Sequence, residues 1–384
     1  MAKKSALKGR KWRILIPDAE WEILTDQVKN CFSIQANTEL YLMSNNRYIP
    51  NRFSRFIRHF SYYPKTDRIS NWIEYINIEV EKHGIDFIMP IYEDGIRALI
   101  SNRKLVKKTD SLMLMPSQVS FDTANNKVLL AEHLLQHEIS GPEMFKINSN
   151  KNFKSANMKF PMMAKPIEGS EGGNGIFVFK KESEIETHLK GGLQGQKFLF
   201  QKYIEGYDID CSVLCKNGEI KAFTIQKGNL YSNNPCSPAI GLEFLFEREL
   251  FKTVKKLMRT LNWSGVAHID LRYDKSDHLF KVIEVNTRFW SSLEASLIAG
   301  VNFPYLYCLL VIGQDFDLPE YNNVKTLNLK GLVKQVRNNG LFLTKIGFIW
   351  NNTSIRYAIS DPLPVLVRFF LRAKNLFFSF LKKI

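Results

Sequence analysis

Cysteine is scarce in this chain: five in 384 residues, an odd number with no Cys-x-x-Cys spacing. A disulfide framework has nothing to build on, and no His or Cys cluster completes a metal site around Cys211 and Cys215. Those two are read as buried thiols in a reducing compartment. No apolar run reaches the roughly eighteen uncharged residues of a spanning helix. The first residues are basic (Lys3, Lys4, Lys8, Arg10, Lys11, Arg13), yet no long apolar segment follows. A secretory signal is therefore not expected, and the protein is expected to stay in the cytoplasm. No Gly-x-Gly-x-x-Gly follows the first predicted strand, so a dinucleotide-binding fold has little support. The seven histidines form no triad or array. Internal repeats and long low-complexity tracts are also missing.

What is present is a globular composition, 45% apolar and 24% charged, in a chain long enough for two or three domains. Charge is uneven. Residues 1–13 carry six Lys/Arg and no acid, and residues 321–384 carry eleven against the single Asp361. The body between them is nearly neutral. A nucleic-acid protein would spread its basic stripe over the working core, so no nucleic-acid partner is expected. Basic ends on a neutral body suggest attachment to an anionic surface.

Trp12–Ile16 reads as a strand, Trp21–Phe32 as a helix, Leu40–Met43 and Asp86–Ile91 as strands, and Ile96–Arg103 as a helix. This alternation predicts a parallel α/β sheet. After a helix over Lys127–His137, stopped by Gly141-Pro142, the period changes. Phe160–Lys165, Ile176–Phe179, Phe198–Tyr203, Ile209–Leu214 and Ile220–Gln226 are short alternating runs, as in an antiparallel sheet. A helix over Arg248–Leu261, strands Gly265–Tyr273 and Phe280–Asn286, and a helix over Leu293–Ala299 follow. The expected organisation is an N-terminal α/β domain over 1–115, a central domain over 116–318 with a small subdomain at about 150–205, and a basic extension over 319–384.

Chemistry concentrates between Lys165 and Arg288. Lys165 closes an apolar strand directly before Glu168-Gly169-Ser170-Glu171-Gly172-Gly173-Asn174-Gly175. Lysine is a compact charge for phosphate oxygens, and glycines let backbone N–H groups approach a phosphate and let the loop close. The same segment could be a hairpin tip with a solvated lysine. Gln201-Lys202-Tyr203-Ile204-Glu205-Gly206-Tyr207-Asp208 runs from a strand into a turn. Its backbone could meet an adenine edge, with Asp208 on a ribose. Asp270, Glu284 and Asn286 alternate along strands otherwise built of Ile, Val and Leu. Such carboxylates are costly to bury unless paired or metal-bound, so they are candidate Mg²⁺ ligands, with salt bridges to Arg272 and Arg288 as the competing role. Arg272 and Arg288 could equally stabilise a transferred phosphoryl group or hold a substrate carboxylate. Lys127 could reach the phosphates from a helix start. His268, two residues before Asp270, shares its face. Trp290 and Tyr231 are candidates for an acceptor pocket or for the core.

In this order and spacing, these residues resemble the ATP-grasp superfamily, in its carboxylate–amine ligase branch, related to carbamoyl phosphate synthetase, biotin carboxylase and D-alanine–D-alanine ligase. The similarity covers roughly 120–315, with a weaker match over 12–115 to the family's preceding domain. It implies an ATP-grasp fold, α/β and α+β, with an N-terminal parallel α/β domain. It implies ATP with Mg²⁺ or Mn²⁺, as two ions held by Asp270, Glu284 and Asn286. Lys127 and Lys165 correspond to the phosphate-binding lysines, and Ser170, Gly172, Gly173 and Gly175 to the lid. Gln201, Lys202, Tyr203 and Ile204 correspond to the adenine hinge, and Asp208 takes the place of a ribose-binding glutamate. Arg288, Lys165 and Arg272 are the candidate catalytic residues. Lys202 departs from the glutamate usual in the hinge, and Thr287 from a proline. Arg288-Phe289-Trp290-Ser291-Ser292 with Ala299-Gly300-Val301-Asn302-Phe303-Pro304 resembles ligases of cell-surface polymer synthesis.

The implied reaction joins a carboxylate to an amine through an acyl phosphate, with an amino acid and a sugar or cell-surface precursor as the preferred substrates. The alternatives are a carboxylase of the biotin carboxylase type and a non-catalytic nucleotide-binding scaffold. A homodimer is compatible with this reading. Residues 362–384 form a basic amphipathic segment, with Leu366, Val367, Phe370, Phe377, Phe378 and Leu381 on one side. Two roles are open to it: lying on the inner face of an anionic membrane, or packing on the body with its basic face solvated.

Overall fold

The computed structural model describes residues 9–145, 160–166, 175–190, 198–232 and 238–381. The N-terminal part is a four-stranded, all-parallel sheet in the order β3-β2-β1-β4, formed by β1 (Trp12–Ile16), β2 (Thr38–Ser44), β3 (Ile57–Tyr62) and β4 (Phe87–Ile88). Ile14, Leu15 and Ile16 are all fully buried, as a central parallel strand covered on both faces requires. Ile14 and Ile16 enter one core with α1 (Glu22–Ser33), whereas Leu15 enters another with α2 (Ile69–His83) and α3 (Glu93–Ser101).

Neither β3 nor α2 is anticipated by the sequence pattern above. α2 buries Trp72, Ile73, Ile76 and Val80 and ends at Gly84, which takes the left-handed conformation (φ 59°) that favours glycine. The single helix expected from Lys127 is preceded by a second, so that α4 (Gln118–Asn125) and α5 (Lys127–Gln136) meet at an extended Asn126. The Asn126 carboxamide accepts the Val128 and Leu129 N–H groups, making Lys127 the first residue of α5.

The central part holds two antiparallel sheets. A small one, in the order β5-β8-β6-β7, contains β5 (Met144–Phe145), β6 (Met162–Pro166), β7 (Phe177–Phe179) and β8 (Phe198–Lys202), with α6 (Glu182–Lys190) beside it. The larger runs β13-β12-β9-β10-β11-β14, from β9 (Gly206–Lys216), β10 (Glu219–Leu230), β11 (Gly241–Phe244), β12 (Gly265–Asp274), β13 (Phe280–Asn286) and β14 (Lys325–Leu327). One face of the larger sheet presents Ile209, Cys211, Val213, Ile225, Ala267, Ile269 and Val285 to α4, α5 and α7 (Arg248–Thr260). Alternation turns Asp210, Ser212, His268 and Asp270 to the other face, where Leu214, Ala222 and Val266 farther along join the core of β1 and α1. Cys31, Cys211, Cys215 and Cys308 are buried free thiols.

α8 (Leu293–Ala299) and α9 (Phe303–Val311) fasten the two halves, since Leu293, Leu297, Phe303 and Cys308 share the core of β1 and α1. The basic C-terminal region comprises α10 (Leu329–Asn338), α11 (Ile346–Asn352), α12 (Ile355–Ser360) and α13 (Pro362–Leu381). Among the described residues no single helix is long and apolar enough to cross a membrane.

Candidate active site

Strand register assembles the polar face. On β12, Asp270 stands opposite Glu284 of β13 and Asp210 of β9, and Asp210 stands opposite Gln226 of β10. The next row is Asn286, His268, Ser212 and Thr224. Three carboxylates thus lie side by side across neighbouring strands, where directly opposed side chains are within about 5.5 Å at Cβ. Asn286 Nδ2 donates to Asp270 Oδ2 (3.3 Å), and its Oδ1 accepts from Arg288 Nη2 (3.3 Å). The structure therefore brings together the three metal candidates read from the sequence.

It also adds Asp210, which sequence reasoning passed over. Burial, then the negative charge of Asp270, pushes the Asp210 carboxyl well above the usual carboxylate range. Burial and the facing Glu284 push Asp270 up to about 7. A pair of facing carboxylates held in this way, with an amide oxygen beside them, is an oxygen-donor set that fits Mg²⁺ or Mn²⁺. His268 lies between the acids, with Nε2 3.4 Å from Asp270 Oδ1 and 4.0 Å from Asp210 Oδ2. Its Nδ1 is 2.9 Å from Ser212 Oγ, and its ring stacks on Trp290 at 5.5 Å. Burial pulls the imidazole down to about 3, so it is neutral near pH 7. The sequence signal for His268 was its two-residue spacing from Asp270; Asp210 has the same relation to Asp208.

Lys165, at the end of β6, is buried, and burial lowers its pKa. The charges that act on it are, in order, Glu284, Lys127, Asp270 and Asp208, so both candidate lysines and the acidic row share one electrostatic environment. Gln201 is buried in β8 opposite Met163. In the hinge, the Lys202 N–H donates to Glu143 O (2.9 Å) and the Tyr203 N–H to Pro161 O (3.0 Å). Those two amides are spent within the protein, which narrows the expected backbone contacts to Ile204 and the carbonyls of this stretch. Gly175 turns into β7 with φ 76°. Ser170, Gly172 and Gly173 lie outside the described residues.

Arg272, a catalytic candidate, is engaged by the protein itself. Nε donates to Ile204 O (2.8 Å), Nη2 to Gly206 O (3.1 Å), and Nη1 pairs with Asp208, its cross-strand partner. The guanidinium is a strap across the β8–β9 turn. At Gly206 any Cβ would stand 1.6 Å from Tyr273 O, so only glycine passes beneath the strap. Under the nucleotide-binding role that the resemblance implies for this turn, Arg272→Lys should raise the KM for ATP about tenfold and change kcat far less, because a point charge cannot make the three directed bonds. Steady-state kinetics checks this split.

Arg288 reaches from the metal candidates to the N-terminal part. Its Nη1 donates to Phe289 O (2.9 Å), its Nε lies 3.4 Å from Glu93 Oε1 at the start of α3, and it sits over the Tyr92 ring at 5.4 Å. Tyr92 stacks in turn on Trp21. Trp290 is buried in the core against Phe303, whereas Tyr231 is exposed at the rim, its hydroxyl pushed up by burial and by Asp208 and Asp210.

The model of the ATP-grasp domain family matches residues 124–292. That stretch is an ATP-grasp domain. It contains Lys127, Lys165, Asp208, Asp210, Asp270, Glu284, Asn286 and Arg288. A carbamoyl-phosphate synthase of Methanobrevibacter smithii is 25% identical over 197 residues, 48% of this chain and 51% of that protein. A D-alanine–D-alanine ligase of Anaplasma marginale is 19% identical over 211 residues, 51% of this chain and 63% of that one. The chain therefore spans about half to two thirds of the length of these relatives. An N5-carboxyaminoimidazole synthetase from Staphylococcus aureus, complexed with ADP, superposes with a TM-score of 0.64 at 14% identity, over 86% of this chain and 87% of that one. That likeness extends the ATP-grasp fold to the parallel sheet preceding the domain.

Proposed function

We propose that the chain is an ATP-dependent carboxylate–amine ligase. The observation that carries this reading is the in-register row Glu284–Asp270–Asp210, of which Glu284 and Asp270 act electrostatically on the buried Lys165. Asp270, Glu284 and Asn286 would hold one or two Mg²⁺ ions, which would offset charge on the terminal phosphates of ATP. Lys165 and Lys127 bind phosphate oxygens, Ile204 meets the adenine, and Asp208, oriented by Arg272, accepts from the ribose. A substrate carboxylate oxygen attacks the γ-phosphorus as ADP leaves, forming an acyl phosphate. An amine nitrogen then attacks the acyl carbon, phosphate leaves, and the nitrogen loses a proton. Arg288, anchored by Glu93, holds the anionic substrate end. No covalent nucleophile is needed, since positioning and charge neutralisation do the work.

The test is hydroxamate formation from a panel of amino acids and other carboxylates with Mg-ATP and hydroxylamine, which intercepts an acyl phosphate without the natural amine. One carboxylate giving a hydroxamate supports the ligase. ADP release that depends on bicarbonate alone turns the reading to a carboxylase, and ATP binding without turnover turns it to a scaffold.

An amino acid and a sugar or cell-surface precursor remain the preferred pair, joined at the inner face of an anionic membrane. Support comes from the orientation of α13. Arg368 points inward to Asp26 (2.9 Å) and Glu22 (4.0 Å) of α1, while Leu363, Leu366, Phe369 and Phe370 are exposed, the two phenylalanines at 75% and 68%. The helix thus packs on the body through Pro364, Val365, Val367, Arg368 and Leu371 and leaves a second apolar surface outward. Arg372 and Lys374 are exposed on the same helix. Phe369→Glu/Phe370→Glu should weaken binding to phosphatidylglycerol vesicles at least about a hundredfold, given roughly 1.5–3 kcal/mol per buried phenylalanine, and spare ATP chemistry. Flotation of the two proteins with vesicles measures it.

A further inference from the structure

Outside the ATP-grasp domain, His59 of β3 meets Glu79 and His83 of α2. Glu79 and His83 are one helical turn apart, so their side chains project together toward the edge strand. His83 Nε2 lies 3.4 Å from Glu79 Oε2, and one ligand atom from each of the three residues falls within 4.8 Å of the other two. The two imidazole rings are 4.4 Å apart. Glu79 is buried, and Ser61 Oγ donates to its Oε2 at 2.6 Å, fixing the carboxylate. His83 Nε2 is buried and makes no hydrogen bond, so a directed nitrogen faces the cluster with only the Glu79 carboxylate near it. An ordinary Glu–His hydrogen bond would have closed that gap.

We propose that His59, Glu79 and His83 bind a divalent transition ion, Zn²⁺ foremost, with water completing a tetrahedron. Zinc holds nitrogen and oxygen ligands at about 2.0–2.2 Å, which sets neighbouring ligand atoms of a tetrahedron roughly 3.3–3.6 Å apart. The His83–Glu79 separation already has that value. A small rotation of His59, on the partly exposed edge strand, completes the set. Ser61 supplies the outer hydrogen bond that orients a ligating carboxylate. Arg13, which donates to His83 O (2.9 Å), and Lys82 add positive charge nearby. They disfavour an ion held by charge alone, such as Mg²⁺, and leave one that bonds to imidazole nitrogen. The bound ion would clip β3, the outermost strand of the parallel sheet, to α2.

Full-length protein stripped of metal by chelation is titrated with Zn²⁺ in excess Mg²⁺ against a chromophoric chelator, and with Co²⁺ followed by visible absorption. Wild type is expected to take up one Zn²⁺ more than His59→Gln and to show the intense Co²⁺ bands of a tetrahedral site, which that variant lacks. Ser61→Ala should lower the affinity about tenfold. His59 is replaced because it lies on the edge strand, and circular dichroism with unchanged ATP-dependent activity verifies its fold. Equal stoichiometry and affinity in wild type and His59→Gln would overturn the proposal. So would a Zn²⁺ site lost in Glu284→Gln but retained in His59→Gln.

Discussion

Glu284→Gln is expected to cut ATP-dependent turnover about a thousandfold while raising the melting temperature of the nucleotide-free protein by ~2 °C. The two effects have one cause. Glu284 faces Asp270 across the β12–β13 ladder, and that like-charge pairing contributes to the upward shift of the Asp270 carboxyl. Without a cation the pairing costs stability; with one it supplies the oxygen donors. Glutamine keeps the size and one carbonyl oxygen but removes a formal charge, so repulsion falls as the proposed metal ligation is lost. A residue serving only as a salt-bridge partner would behave oppositely, lowering the melting temperature and sparing turnover. Calorimetry without nucleotide, alongside the hydroxamate assay, separates the two roles. Unchanged turnover in Glu284→Gln would remove the acidic row from the chemistry.

The sequence reached this site from one direction only. Along β12 and β13 the pattern is local: polar residues alternate with Ile, Val and Leu, so Asp270, Glu284 and Asn286 were legible by period alone. Asp210 was not, because its place beside Asp270 is a matter of register between β9 and β12, strands far apart in sequence. Arg288 was read with the nearby acids or a substrate as its partners, and Glu93 was missed for a similar reason: it belongs to another part of the fold, and nothing local announces the pair. Arg272 shows the limit of residue type as a guide. Type and position suggest a catalytic arginine, and only the fold shows that the carbonyls of Ile204 and Gly206 lie within its reach. α2 went unread although its apolar stripe is regular, because β3 before it has only half-buried and exposed residues to mark it as a strand. The amphipathic tail was legible as a helix, but which side it turns outward depends on Asp26 and Glu22, again distant in sequence.

Lys29→Met is expected to destabilise the protein by about 3–5 kcal/mol, the cost of leaving a buried charge uncompensated. Lys29 Nζ donates to Asp361 Oδ2 at 2.7 Å across 332 positions, with 3% and 2% of the two side chains exposed. The remaining Asp361 oxygen accepts the Arg55 N–H (3.2 Å), so removal of the ammonium leaves the carboxylate with one amide alone. Asp361→Asn should cost less, about 1–2 kcal/mol, because Lys29 keeps Asp26 at 3.1 Å. Lys29→Met/Asp361→Leu should recover most of the loss, since two matched apolar groups replace a desolvated pair. Urea unfolding with shared m-values checks all three. The order of effects matters beyond stability, because Asp361 immediately precedes α13. Clamped there, and again through Arg368, the helix must show Phe369 and Phe370 outward. Released at both points by Lys29→Met/Arg368→Gln, it is free to turn that face onto its own body, and the vesicle binding proposed above should fall even though neither phenylalanine has changed. Vesicle binding in Lys29→Met/Arg368→Gln equal to that of wild type would mean that the clamps do not set the proposed surface.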